Sequence, residues 1–343
     1  MPSVEFRSER LEAEILDPRR GFERVRLPVE IRHDPLTGRT SRLLPPGSLP
    51  PAAPVDVAAL AVRTRQGCPF CPELIETATP RFPPGVCPGG RIRRGEAMLF
   101  PNLVPYAKWS SVSVYSPARH AIPLAELDAA ALADNLRVQV AFLRAVAAHD
   151  PDAAWFSVNA NQAPPSGSSI FHPHLQGSAN PLPTTVQRAL GAVEPALYRA
   201  YREQERQGPR LLGSTGTVDW IASFAPGGQA EVLALAEEGP PLSELGDALV
   251  DELSAGAAAL LGLYAELGYG SFNLALYGLP PGRRDLPLVL RLVARSTIGP
   301  LERADVMWSE LLHGEAVVDL APEALAERGR ARFPPPPARS AQE

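Results

Sequence analysis

Cysteine, long apolar runs and clustered basic charge are all scarce in this sequence, and each scarcity closes off a class of protein. Three cysteines in 343 residues, Cys68, Cys71 and Cys87, are an odd number in a large chain, and two of them stand as C-x2-C. A disulfide framework is thereby set aside, and metal or redox chemistry becomes the question to ask of them. The longest apolar stretch, Leu253–Ala265, is shorter than the roughly 20 residues that cross a bilayer. Met1 to Arg20 is charged throughout and lacks the apolar centre of a secretory signal. No membrane partner is expected, and the cytoplasm is the expected location. The 33 Lys+Arg face 38 Asp+Glu, a net charge of −5, and no basic run exceeds Arg91–Arg94. Nucleic acid is not an expected partner for that balance.

What is present fits a globular chain with enough apolar residues, 45% against 21% charged, for two domain-sized cores. Proline and glycine, 39 and 27 residues, stay below the roughly 25–30% of low-complexity chains. Two proline-rich stretches, Leu44–Pro54 and Phe333–Glu343, read as loop or disordered ends. Apolar residues recur at helical spacing in Leu124–Ala148, Val186–Arg206, Leu242–Leu267 and Pro322–Arg332. Strands are predicted at Ala97–Leu103, Ser111–Tyr115, Ala154–Asn159, Val218–Phe224, Glu231–Ala236, Ser271–Tyr277 and Pro287–Ala294. With Ile170–Gln176 also extended, the order strand, strand, helix, strand, strand, helix occurs twice, broken near Gly208–Gly216. That order predicts an α+β fold of two duplicated units, residues 1–207 and 208–343, although the halves show no obvious sequence identity.

The densest chemical signal is Asn159–Gln176, NANQAPPSGSSIFHPHLQ. An extended Ile170–Gln176 would put His172, His174 and Gln176 on one face and Phe171, Pro173 and Leu175 on the other. An edge strand with solvent-exposed histidines is the bland alternative. Against it stand the proline between the histidines, the Gly/Ser-rich turn before them, and the concentration here of two of the six histidines in the chain. The pair Cys68-Pro69-Phe70-Cys71 can place two sulfurs on one metal, but it also fits a redox pair or two buried thiols. His120, in Ser116-Pro117-Ala118-Arg119-His120, and His172 could complete a four-ligand set. The long spacings leave that open.

Four elements, Ile31-Arg32-His33-Asp34-Pro35-Leu36-Thr37-Gly38, Cys68-x2-Cys71, Ser116-Pro117-x2-His120 and Asn161…Ser169-x2-His172-Pro173-His174-x-Gln176, follow one another in the order of the galactose-1-phosphate uridylyltransferase family. The chain resembles that family, which belongs to the histidine-triad superfamily, well over residues 29–180. Glu310–Glu323 is similar to the end of its ADP-glucose phosphorylase branch. The resemblance implies duplicated histidine-triad-like units, each an antiparallel sheet with flanking helices, the second degenerate. It implies a ping-pong nucleotidyltransferase in carbohydrate metabolism, most simply a UDP-glucose–hexose-1-phosphate uridylyltransferase acting on a nucleotide sugar and a sugar 1-phosphate.

By its place in the motif, His174 would be the nucleophile and Gln176 would hold the phosphoryl oxygens. Asn161 and Ser169 would contact phosphate, Asn102 ribose or base, and Arg32 phosphate. Cys68, Cys71, His120 and His172 would hold a structural Zn2+. Asn102 reads equally as a turn residue, and Asp34–Gly38 is a good turn on its own chemistry. A homodimer is also implied, with the apolar Leu288–Val293 as the strand that could pair across the boundary. The alternatives are an adenylyl-transferring phosphorylase, acting on ADP-glucose or a dinucleoside polyphosphate, and a binding protein without turnover. The chain departs from the family in Arg39–Pro46, where an arginine-bearing stretch of another pattern is usual, and in Pro287–Ser296, which lacks the usual histidines.

Overall fold

The computed structural model describes residues 4–49, 57–237, 239–278, 288–295 and 306–337. In chain order it begins with β1 (Ser8–Asp17), β2 (Glu23–His33) and β3 (Thr40–Leu43), followed by α1 (Val57–Arg65) and α2 (Ile75–Ala78). Then come β4 (Ile92–Arg94), β5 (Ala97–Pro101), β6 (Trp109–Val114), α3 (Ala129–His149), β7 (Trp155–Gln162) and β8 (His174–Asn180). Two helices, α4 (Thr185–Gly191) and α5 (Pro195–Arg206), lead into β9 (Leu211–Thr215), β10 (Val218–Ala222), β11 (Val232–Ala236), α6 (Asp247–Glu266), β12 (Ser271–Tyr277) and β13 (Val289–Arg295). The described part closes with α7 (Trp308–His313), β14 (Ala316–Val318) and α8 (Pro322–Gly329).

The fold is α+β, and its two repeats merge into one ten-stranded sheet of order β4-β5-β6-β8-β7-β12-β13-β11-β10-β9. Each repeat is three strands, a long helix and a hairpin, and the seam is the antiparallel pair β7 and β12, with Asn159 opposite Ala275. The strand lists read outward from that seam are the same in both directions. A short echo survives in the sequence: Pro123-Leu124-Ala125-Glu126-Leu127 and Pro241-Leu242-Ser243-Glu244-Leu245 each form a 3-10 turn just before the long helix. Each of these turns packs against the long helix of the other repeat. The boundary expected at 207/208 falls between α5 and β9, but β14, from the end of the chain, pairs in parallel with β3 near its start. The small sheet β1-β2-β3-β14 therefore ties both ends together.

Helices α3 and α6 lie side by side on one face of the large sheet. In α3, Leu132, Leu136, Val140, Leu143 and Val146 recur at three- and four-residue steps and bury one stripe, and Asp128 caps its start by accepting from the Ala131 N–H. By length and composition alone α6 could cross a membrane, yet Val250, Leu253, Leu260 and Leu261 are buried in the core between sheet and α3. On the opposite face the segment carrying Cys68, Phe70, Cys71 and Ile75 covers Met98, Phe100, Val112 and Val114. Farther along that face α5 covers Ile221, Leu235 and Val289 with Tyr198 and Tyr201. Between the two covers lie β8, β7 and β12.

Several expectations are corrected. The helix expected over Val186–Arg206 is two, because Pro195 lacks the N–H needed inside a helix and starts a new one. The strand expected to offer a free edge, Leu288–Val293, is interior, with β13 bonded to β11 on one side and β12 on the other. The C-terminal stretch is not free at its start: Phe333 is buried against Trp220 at 5.7 Å, and the Ser214 N–H donates to the Pro334 carbonyl at 2.9 Å. Residues 50–54 of the earlier proline-rich stretch lie outside the described residues.

Candidate active site

Strand β8 opens at His174. Its alternation sends Leu175 into the core beneath the helices and His174 and Gln176 to the other face. Strand β7 sets Asn159 opposite Gln176, and Asn161, two residues on, shares that face. Gly177 makes room below: a Cβ there would lie 2.2 Å from Gln139 Oε1 and 2.6 Å from Ser111 Oγ. Those atoms belong to a buried network in which Ser111 Oγ donates to Gln139 Oε1 at 2.9 Å and Gln139 Nε2 donates to Ser113 Oγ at 2.7 Å. Strand β8 is therefore pressed against α3 through glycine.

His172, His174 and Gln176 do not share one face of a single strand, as an extended Ile170–Gln176 would require. The ladder starts only at His174, since Pro173 has no N–H to offer, and the His172 ring turns into the cysteine cluster. A carbonyl only accepts, so the nitrogen facing one carries the proton. His172 Nε2–H thus donates to the Ser116 carbonyl at 2.9 Å, leaving Nδ1 at 3.7 Å from the Sγ atoms of both Cys68 and Cys71. Thr64 Oγ1 gives its proton to the Leu60 carbonyl and so accepts from His120 Nε2 at 2.9 Å, leaving His120 Nδ1 3.3 Å from Cys71 Sγ.

All four residues are buried, and their ligand atoms lie within 4.8 Å of one another. A tetrahedral zinc with Zn–S of about 2.3 Å and Zn–N of about 2.05 Å separates S from N by roughly 3.6 Å. The observed 3.3–3.7 Å fits a metal ion of that size, and each imidazole already has the outer oxygen partner that metal-bound histidines use. Burial, reinforced by the neighbouring Cys68, pushes the metal-free Cys71 thiol up to about 12. Burial likewise pushes His172 down to about 4.

The same proton logic fixes His174. Its Nδ1 lies 2.8 Å from the His172 carbonyl, so Nδ1 carries the proton and Nε2 holds the free lone pair. Burial lowers its pKa, opposed by that hydrogen bond, and the imidazole is neutral at pH 7. The Phe70 ring meets it edge-on at 5.4 Å. No protein partner for Nε2 or for the Gln176 amide is found among the described residues, so both remain open to a ligand.

The other expected residues divide. Asn161 joins the group, and its Oδ1 accepts from Asn273 at 2.7 Å. Ser169 is exposed on the loop of residues 163–173 that leads into β8. Asn102, two strands away past β6, accepts the Val104 N–H at 3.1 Å, as a turn residue does. Arg32 is committed elsewhere: its guanidinium bonds Glu30 at 2.8 Å and Glu323 at 2.9 Å, and lies over the Phe224 ring. Glu315 accepts from Thr40 and from Arg42 at 2.8 Å, joining β14 to β3. Asn273 was not singled out from sequence, where it is one amide in the apolar strand SFNLALY; only the repeat places it beside the motif.

No family model matches the chain. An uncharacterized protein of Archaeoglobus fulgidus is 31% identical over 336 residues, covering 95% of this chain and 98% of that one. The two belong to one family. Among solved structures, a GalT-like protein from Arabidopsis thaliana superposes with a TM-score of 0.65 at 19% identity, over 88% of this chain and 98% of that one. An ADP-glucose phosphorylase from Arabidopsis thaliana, determined with bound ADP-glucose, gives 0.66 at 19% over the same shares. A uridylyltransferase gives 0.61 at 22%, over 88% and 97%. This chain thus has the GalT-like fold that its motifs resemble.

Proposed function

We propose that the protein is a nucleotidyltransferase that moves a nucleoside monophosphate between sugar 1-phosphates through a covalent nucleotidyl-His174. The observation that carries this reading is the 2.8 Å bond from His174 Nδ1 to the His172 carbonyl, which fixes the tautomer and leaves Nε2 as a neutral nucleophile. Nε2 attacks the α-phosphorus of a nucleotide sugar; a P–N bond forms, the P–O bond to the sugar 1-phosphate breaks, and that phosphate leaves with the electron pair. The proton stays on Nδ1 and continues to be donated to the His172 carbonyl, whose partial negative charge offsets the positive charge on the phosphorylated ring. An oxygen of the second phosphate monoester then attacks phosphorus and returns the imidazole. Gln176 and Asn161 supply neutral N–H donors to the phosphoryl oxygens, and Ser169 is placed on the loop to add its hydroxyl. An amide at Gln176 carries no proton that a departing group could take, which favours transfer over hydrolysis.

The metal held by Cys68, Cys71, His120 and His172 would be zinc. With all four positions filled by protein it would supply stability and hold the His172 carbonyl in place, without contacting substrate.

Mass spectrometry of the intact chain after incubation with UDP-glucose or ADP-glucose, without acceptor, tests the reading. A uridylyl or adenylyl mass increment, absent from His174→Ala, is the expected outcome. UDP-glucose is the donor expected from the sequence motifs; an adenylyl increment alone would instead place the protein with the ADP-glucose phosphorylase, the neighbour that was crystallised with that nucleotide sugar. No increment from either donor on folded protein would refute the transfer.

A further inference from the structure

The side chain of Asn273 comes from the second repeat and enters the site of the first. It stands directly opposite Asn161 across the β7–β12 seam. Its Nδ2 donates to Asn161 Oδ1 at 2.7 Å and to the Ser166 carbonyl at 2.9 Å. Both protons of one amide group are thus used, and both acceptors belong to the segment that frames His174. The donation settles which end of the Asn161 amide is which. Its oxygen is occupied, so its own NH2 is turned outward, toward the loop, where a Cβ built at Gly167 would sit 3.8 Å from Asn161 Nδ2. The second bond holds a turn that is not relaxed: Ala163 has φ +66 and Gly167 φ +93. That left-handed backbone costs free energy at an alanine, and the Ser166 carbonyl lies between the two.

We infer that Asn273 is a positioning residue, which orients the Asn161 amide as a phosphoryl donor and fixes the loop of residues 163–173. The inference rests on the nucleotidyl-His174 reading for what Asn161 contacts, but the orientation of Asn161 is a property of the protein alone. Through this amide the second repeat contributes a side chain to the site of the first.

Asn273→Asp removes the donors at nearly constant shape. A carboxylate beside Asn161 attracts its NH2, so the Asn161 amide turns over and its donor is withdrawn from the site. The half-reaction, followed as the rate of adduct formation, should fall about 10- to 100-fold, the scale of a misplaced catalytic group, with little change in the nucleotide-sugar concentration needed for half-maximal rate. Below the pKa of the new carboxyl its O–H can donate to Asn161 Oδ1, so the variant should recover toward wild type as pH falls. A merely structural role would not produce that recovery. Because the Asn161 contact is shared, Asn161→Ala and Asn273→Ala together should cost less than the sum of the two alone, the remainder being the lost bond to the Ser166 carbonyl. Side-chain amide resonances give the readout that needs no activity: those of Asn161 should move in Asn273→Asp and return at acid pH. Resonances of Asn161 unmoved by Asn273→Asp, or a rate loss equal at every pH and additive with Asn161→Ala, would overturn the inference. If the wild type forms no adduct with any donor, the functional reading fails, and the amide resonances alone decide the role of Asn273.

Discussion

Removing the metal should both loosen the fold and slow the chemistry, and the size of each effect follows from where the ligands lie. Cys68 and Cys71 sit on the segment covering β5 and β6, His120 follows β6, and His172 stands two residues before His174. One ion held by these ligands would close a loop of about 100 residues between Cys68 and His172, and by the chain-entropy account such a cross-link is worth about 4.7 kcal/mol. Unfolding entropy of about 2.1 cal/mol/K per residue gives roughly 0.7 kcal/mol/K for this chain. Cys71→Ser should accordingly lower Tm by about 6–7 °C. The His172 carbonyl holds His174 Nδ1, so the same variant should slow adduct formation by on the order of 100-fold even at temperatures where it is folded. The assay is metal content by mass spectrometry of the purified protein, thermal unfolding by circular dichroism, and adduct formation on the same samples. Because the free Cys71 thiol is pushed up to about 12, metal uptake must displace protons and should weaken steeply toward acid pH. Folded wild-type protein without stoichiometric metal, or Cys71→Ser with an unchanged Tm, would refute the reasoning.

Other outcomes follow from single contacts. His174 has its pKa lowered by burial, so adduct formation should stay on its plateau as pH falls past about 6.5, where an exposed histidine protonates; a rate that titrates at 6.5 would contradict the buried, carbonyl-bonded ring. Gly177→Ala would force a methyl to 2.2 Å from Gln139 Oε1 and should cost about 2–4 kcal/mol in urea unfolding, with adduct formation lost in parallel; unchanged stability would mean that α3 is not pressed on β8. Arg32→Ala takes its ion-pair partner from Glu30 and leaves the half-buried Glu323 with Arg210 alone, and should destabilise by about 2 kcal/mol while half-saturation by nucleotide sugar stays put; a rise in that concentration without a change in stability would restore a phosphate role to Arg32.

What could be read from sequence was whatever lies close along the chain or repeats with a period. The H-P-H-x-Q motif, the C-x2-C knuckle and the long helices α3 and α6 are of that kind. The hairpin β1–β2 was missed because its alternating apolar residues, Leu11, Ala13 and Ile15, are interleaved with charges, and in SERLEAEILD the charge dominates the reading. Strand β9 is five residues with a glycine at its centre, too short to show a period. Arg32 reads as an anion-binding residue beside a turn until Glu323, 291 residues away, is brought to it by α8. Asn273 carries no local signal, since its partner Asn161 lies 112 residues off. Distances of that kind are products of the topology, and only the fold supplies them.

The duplication also shows how the two repeats have diverged at the position of His174. Strands β8 and β13 each have seven residues; aligned end to end, Val289 takes the place of His174 and Arg291 that of Gln176. The ladder agrees, for Gln176 lies opposite Asn159, Arg291 lies opposite Ala275, and Asn159 and Ala275 face each other across the seam. Val289 is apolar and buried beneath α5 with Tyr198 and Tyr201, so this second position has neither a nucleophile nor access. Arg291 is bound by the fully buried Glu231, an ion pair that breaking either partner would expose as an uncompensated charge. A site released from chemistry in this way can be filled by packing, and α4, α5 and the small sheet lie over that half. The first repeat could not be covered in the same manner without closing off Nε2 of His174, and its neighbours there are the segment of Cys68 and Cys71 on one side and Asn273 on the other. The asymmetry of the covers, laid over a symmetric sheet, thus leaves the position of His174 open to a ligand and closes its counterpart at Val289.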